Sequence, residues 1–445
     1  MNASDHNKRL SRREMLRLMA TGAAGAALFG SGLFGTEPRK LKNTAKSVIQ
    51  IWLWGGPTNI DTFDPKPDAG YDYCGPLNKT LQTNVDGIQI GELLPLLAAR
   101  ADKYTLLRGL THNNNGHETA AYMVQSGWMP GGTLVHPSLG AIVSLKKGYS
   151  AGYTNLIPPY IVMTRLQGRF SEAGFLEQRY KPFATGGNPA DRRFTVEGII
   201  SRDIQPDRQE NRRELLTKMN TFGSAMSGVP EVDASKKVQG EAWDLILGSA
   251  GKVFDLGQEK QDVRDRYGMN TFGQSCLAAR RLVEQGVPYI TINFDGWDTH
   301  KQHFGIMRTK LPQLDRGIAA LLDDLSERGL LDSTIVWCEG EFGRTPRVQW
   351  EAPWNGGRNH YGKAFAGLVA GGGFKGGYAI GKTSPTGEDV IERPIYPWDL
   401  LASMLDLLGI DPDGTIMHPS GYDVRILPSI TEEKLMSGGR LYEIM

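Results

Sequence analysis

The chain predicts an α/β fold, a doubly wound, mostly parallel sheet flanked by helices, with a helical and irregular insertion. Three observations predict it. Short β-branched and aromatic runs alternate with helical stretches at spacings that suit parallel crossovers. The 55 glycines fall mostly in loops, as a fold with many strand-to-helix turns requires. Five of the eight histidines, His112, His117, His300, His303 and His360, lie in loops at predicted strand boundaries. Such loops converge on one edge of a parallel sheet.

At 445 residues the chain can bury a large core. The reading divides it into an export segment over 1–36 and one α/β domain over 45–430, with 150–266 as a cap-like insertion. A net charge of +1 leaves no electrostatic footprint for nucleic acid, which is excluded as a partner. Cys74, Cys276 and Cys338 are odd in number and far apart, so they form neither a disulfide framework nor a CxxC knuckle.

The N-terminus carries Ser11-Arg12-Arg13-Glu14-Met15-Leu16-Arg17 ahead of an apolar, Ala/Gly-rich stretch from Leu18 to Leu33. This matches the twin-arginine export motif. It makes the twin-arginine machinery an expected partner and a periplasmic or extracytoplasmic location the expected destination. The stretch is short and weakly apolar for a bilayer crossing, so no stable membrane span is expected. Proteins exported after folding often carry a metal or cofactor, which turns attention to metal donors.

Val48–Trp54 reads as the first core strand, running into Gly55, Gly56 and Pro57 and then Asp61 and Asp64. Asp61 is a candidate metal ligand, an Asx turn being the alternative. Tyr104–Leu110 is the next strand. It is followed by Thr111-His-Asn-Asn-Asn-Gly-His-Glu118 and a helix that stops at Gly127. His117 and Glu118 thus stand at a helix N-terminus, a natural place for a phosphate or sulfate, with simple helix capping as the alternative. Ile157–Thr164 reads as a strand. Gln167–Phe194 has neither period, and Asp207–Phe222 and Asp233–Phe254 read as charged helices of the insertion. Arg165, Arg169 and Arg179 on this stretch suit solvation better than anion clamping.

Asn270 caps a helix that runs to Gly286, and Pro288–Phe294 is a buried strand. Within nine residues of its end come Asp295, Asp298, His300 and His303, a density of carboxylate and imidazole that a solvent-facing turn does not require. Mixed oxygen and nitrogen donors suit a borderline divalent cation, zinc first, with manganese or calcium as alternatives. Ile306–Arg328 is an amphipathic helix. Thr334–Cys338 is a strand whose exit holds Glu339, Glu341 and Arg344. His360 precedes the strand Ala364–Ala370, and Asp399–Leu408 is the last helix. The candidate metal ligands are therefore Asp61, Asp298, His300, His303, Glu341 and His360, and the candidate catalytic residues are His117, Glu118 and Arg344.

The segments His360–Gly373 and Asp399–Ile410 resemble the closing section of the alkaline phosphatase and sulfatase superfamily. Nearly the whole chain, Arg12–Pro428, resembles the domain-of-unknown-function 1501 family. The motifs are Trp54-Gly-Gly-Pro with Asp61 and Asp64, Gly116-His117-Glu118, the run from Tyr267-Gly268 to ARRLVEQG at Gly286, Gly296-Trp297-Asp298-Thr299-His300, Glu341-Phe-Gly-Arg-Thr-Pro346 and Gly357-Arg358-Asn359-His360. The resemblance implies an alkaline phosphatase-like domain and metal-assisted hydrolysis of a phosphate or sulfate ester, in an anionic small molecule or saccharide. The chain departs from the superfamily where a Ser, Thr or Cys nucleophile is expected, offering Gly116, His117 and Glu118 instead. Its first strand ends in Trp54 and Gly55 rather than a metal-binding Asp, and Glu339-Gly-Glu341 replaces an Asp-His pair. These departures point to a metal-activated water, with a pKa near about 7, rather than a covalent intermediate. Glu118 or His117 is then the expected base, and Arg344 the expected holder of the anionic group. The alternative is a non-catalytic exported binding or surface protein that retains the fold.

Overall fold

The computed structural model describes residues 41–166, 172–192 and 250–445, with isolated positions between 193 and 249. The expected export segment and most of the two charged helices of the insertion lie outside the described residues. Among those described, no helix is long and apolar enough to cross a membrane.

Among the described residues, eight strands form the central sheet. They are β1 (Ser47–Trp52), β2 (Tyr104–Leu110), β3 (Tyr160–Met163), β4 (Phe183–Ala184), β5 (Tyr289–Asn293), β6 (Thr334–Glu339), β7 (Phe365–Ala370) and β8 (Tyr378–Ile380). Their order is β8-β2-β7-β6-β1-β5-β3-β4. β1 lies at the centre and is buried at every position, which is why it reads as a continuous apolar run rather than an alternating one. It pairs parallel with β5, as Val48 on Tyr289, and with β6, as Val48 on Ile335.

Alternate residues of each strand feed two cores, as the two-residue strand period dictates. Ile49, Ile51, Ile290 and Ile292 pack under α2 (Thr271–Glu284) and α3 (His303–Glu327). Val48, Trp52, Ile335 and Trp337 pack under α1 (His117–Ser126) and α4 (Pro397–Leu407). Helix ends follow their sequence signals. Asn270 caps α2 through the Gly273 N–H at 3.0 Å, and Gly127 closes α1 in the left-handed region.

Two features go beyond what the sequence reading specified. β7 runs antiparallel to both β2 and β6, because a short apolar run carries no sign of its direction. The reversal has a functional consequence. The residues that precede β7, His360 among them, come to the edge where the parallel strands end, with Phe365 opposite Leu110. Within the bounds 150–266 expected for the insertion, β3 and β4 pair parallel in the main sheet. β3 was readable as a strand, but its place beside β5 depends on a long-range pairing that local pattern does not encode.

Candidate metal centre

The centre is built on the edge where β1, β2, β5 and β6 end. β1 runs on into Gly55 and Gly56, both with positive φ (110° and 79°). A Cβ on Gly55 would stand 2.2 Å from the backbone N of Asp298, and one on Gly357 would stand 1.9 Å from the carbonyl oxygen of His300. The 297–300 backbone is thus threaded between two positions that only glycine fits. Along it, side chains alternate as in a strand. Trp297 and Thr299 are 1% exposed, while Asp298 and His300 turn outward.

His300 Nδ1 lies 3.0 Å from Asn359 Oδ1, and His360 Nδ1 lies 2.8 Å from the carbonyl oxygen of Asn115. Both partners are acceptors, so each Nδ1 carries the proton and each Nε2 presents a lone pair. The two Nε2 atoms are 2.9 Å apart, and they lie 3.0 Å and 3.1 Å from Asp298 Oδ1. Three acceptors thus converge with no hydrogen between them.

His117 completes the group. Its Nε2 is 3.5 Å from Asp298 Oδ2, and its Nδ1 is 2.5 Å from Glu341 Oε1. Glu341 is buried and also accepts from the Gly55 N–H at 2.9 Å. Burial disfavours the charged imidazole, but the Asp298 and Glu341 carboxylates outweigh it and push His117 up to about 9. Burial likewise opposes ionisation of Asp298, yet the His117 ring and the Arg344 guanidinium beside it hold its carboxyl well below the usual range. Arg344 bonds Asp298 Oδ1 directly.

Candidate ligand atoms of His117, Asp298 and His360 lie within 4.8 Å of one another. With His300 Nε2 the donor set is three imidazole nitrogens and a carboxylate, which fits a divalent cation. The outer groups fit as well. Asn359, the Asn115 carbonyl and Glu341 each fix the far nitrogen of a histidine, as partners of metal-binding imidazoles do. The cluster is open to solvent, with side chains 43% exposed at Asp298, 34% at His300, 26% at His117 and 22% at His360.

The other residues expected at the site fall elsewhere. Glu341 stands behind His117. Arg344 is wholly buried and donates to Asp298 and to the carbonyls of Gly55, Gly56 and Arg358, so its guanidinium is turned into the protein and braces the Asp298 carboxylate. Asp61 and His303 are buried against each other, His303 Nε2 to Asp61 Oδ2 at 2.5 Å. Burial, opposed by Asp61 and helped by Arg358 and Arg344, lowers the His303 pKa and keeps the ring neutral. Glu118 is exposed at the first turn of α1. Asp295 is exposed and pairs with Arg165 at 3.1 Å. Sequence reasoning assigned no role to Asn359, Thr299 or Arg358, and to Asn115 only helix capping as an alternative. The only available signal for the asparagines was their position beside histidines, in Asn113-Asn-Asn115 and Asn359-His360.

Glu339 ends β6 at the same edge. It is buried, with Oε2 unpartnered, and burial pushes its carboxyl up to about 8. Between its usual 4.5 and about 8 the folded protein holds a proton that the unfolded chain has released. This group's contribution is therefore fully present below the lower value. It declines as pH rises, by up to about 1.4 kcal/mol per pH unit, until the upper value is passed. Glu339→Gln is expected to flatten that slope in urea unfolding between pH 5 and 8; parallel slopes for the two proteins would contradict the assignment.

A protein-family model described as "Protein of unknown function (DUF1501)" matches residues 45–434. No curated protein matches the chain. Among solved structures, the chain is similar to a protein in the alkaline phosphatase superfamily from Vibrio parahaemolyticus at 10% identity and TM-score 0.38, covering 95% of this chain and 79% of that one. A sulfatase from Pseudoalteromonas sp. matches at 13% identity and TM-score 0.38, over 90% of this chain and 72% of that one. A phosphonate monoester hydrolase from Silicibacter pomeroyi matches at 11% identity and TM-score 0.36, over 83% and 74% respectively.

Proposed function

This chain belongs to the DUF1501 family, and from that premise we propose that it is an exported, metal-dependent hydrolase of phosphate or sulfate esters. The observation that carries the reading is the convergence of the His300 and His360 Nε2 lone pairs on Asp298 at a solvent-open edge of the sheet. The support is this local chemistry.

Asp298, His300, His360 and His117 would hold the cation, zinc first and manganese or calcium as alternatives. When bound, it supplies Lewis acidity toward water and charge neutralisation for an anionic ester. The chain's own residues set the geometry. Asn359 and the Asn115 carbonyl keep both Nε2 atoms unprotonated and aimed outward, Glu341 holds the far nitrogen of His117, and Arg344 fixes the Asp298 carboxylate. The open face admits an anionic small molecule or saccharide ester. Export follows the Ser11–Arg17 motif through the twin-arginine machinery to a periplasmic or extracytoplasmic destination. The mature part is one domain over 45–430.

One observation favours a second reading, a non-catalytic binding protein with the same centre. Arg344, the residue expected to clamp the ester, is spent on Asp298 and three carbonyls. The test is turnover of aryl phosphates and aryl sulfates by the metal-loaded protein. Hydrolysis that disappears on chelation and in the His300→Ala/His360→Ala variant is the expected result. Metal-loaded protein with no turnover on either class would leave the binding reading standing.

A further inference from the structure

We propose that Asp61, His303 and Thr299 form a buried positioning relay that holds Asp298 and His300 in register as donors. The inference rests on reading those two residues as metal ligands. None of the three touches the cation, which reassigns Asp61 and His303 from the ligand role that their side-chain types suggest.

The relay is continuous. Asp61 Oδ2 accepts from His303 Nε2 at 2.5 Å, so the neutral ring leaves Nδ1 as an acceptor, and the Thr299 hydroxyl donates to it at 2.6 Å. All three side chains are excluded from solvent, at 3% exposure or less. Arg358, also buried, stands 3.7 Å from Asp61 Oδ2 and supplies the counter-charge that lets a carboxylate sit there.

Thr299 is the inward residue between two outward ligands. Because side chains alternate along this stretch, fixing the inward hydroxyl fixes the rotation of the backbone that aims Asp298 and His300. Its main chain is tied as well, with its N–H bonded to the Trp297 carbonyl at 2.9 Å and its carbonyl accepting from the Arg358 N–H at 3.1 Å. The relay ends on two separate supports. Asp61 belongs to the segment that leaves β1, and His303 to the first turn of α3, where Gln302 takes a positive φ of 51°. A ligand loop anchored to both can keep its donors together without the cation. That is the preorganisation an outer shell supplies, and its loss typically weakens metal affinity about 10- to 100-fold.

The test compares Thr299→Val, which keeps shape and removes the hydroxyl, with Thr299→Ser, which keeps the hydroxyl, and with Asp61→Asn. Zinc affinity is measured by competition with a chromophoric chelator on folded protein. Amide hydrogen exchange is followed at Trp297, Thr299, Gln302 and His303 in metal-free protein. Expected are about 10- to 100-fold weaker zinc binding in Thr299→Val and Asp61→Asn, near wild-type binding in Thr299→Ser, and faster exchange confined to those amides. Wild-type affinity and exchange in Thr299→Val would overturn the relay, even if its melting temperature fell. Should the wild-type protein take up no zinc, exchange alone decides. Local acceleration then supports the relay while the metal-centre reading fails, and unchanged exchange overturns the relay.

Discussion

Asp298→Asn is expected to weaken metal binding by at least about 100-fold and to remove turnover in proportion, because the loss of outer-shell groups alone costs up to that factor. The carboxylate is the point where the site meets. Its Oδ1 lies within 3.1 Å of both His300 and His360 and accepts from Arg344, and its Oδ2 faces His117. An amide of the same shape loses the charge that offsets a cation and brings an N–H into a cluster of acceptors. The stability cost is much smaller, about 1–2 kcal/mol, because the side chain is 43% exposed and its pairing with Arg344 is screened by solvent. Titration calorimetry with zinc and urea unfolding of the same variant separate the two effects. A variant that binds zinc as the wild type does would remove Asp298 from the centre.

Gly55→Ala should produce the opposite pattern, a large loss of stability. The added Cβ runs into the Trp297–Asp298 backbone, at 2.2 Å from Asp298 N, 2.7 Å from Trp297 C and 2.9 Å from Asp298 Cα, where there is no flexible side chain to swing away. The residue also needs φ of 110°, and its N–H and carbonyl serve Glu341 and Arg344. A loss of roughly 3 kcal/mol or more is expected, with the metal loop displaced in whatever protein still folds. Gly70→Ala is the control. Gly70 has φ of 89° but open space around it, so it isolates the conformational cost of about 1–2 kcal/mol. Similar unfolding midpoints for the two variants would show that the close approach to Asp298 does not matter.

Much of this was legible in the sequence, for reasons that can be named. β1, β2, β5 and β6 announce themselves because a strand buried on both faces must be apolar throughout, and α2 and α3 because one stripe must be. Histidines placed at the ends of such strands pointed to the edge of the sheet where His117, His300 and His360 meet. His360 looked like an exception, since it precedes its strand. The antiparallel setting of β7 removes the exception, and an apolar hexapeptide such as Phe365–Ala370 does not reveal its direction.

Other distinctions were hidden because they depend on depth. Asp61, His303, Glu341, Asp298 and His300 are of three residue types in similar loops, and their types suit a ligand and a ligand's support equally well. Only packing separates them, with Asp61, His303 and Glu341 at 3% exposure or less and Asp298 turned outward. Arg344 misled for a related reason. An arginine in a polar loop suggests an anion clamp, but a buried one must satisfy its donors within the protein, and here carbonyls and Asp298 take them. The glycine contacts at Gly55 and Gly357 are invisible without coordinates, because each involves a segment far away along the chain.

Metal content is the most direct test of the central claim. The purified folded protein, prepared without chelators, is compared by native mass spectrometry with the His300→Ala/His360→Ala variant, each before and after incubation with zinc, manganese and calcium. The predicted result is one divalent cation per chain in the wild-type protein and none in the variant, with both folded. A wild-type chain that carries no metal and takes none up, or a variant that binds as the wild type does, would contradict the centre described above.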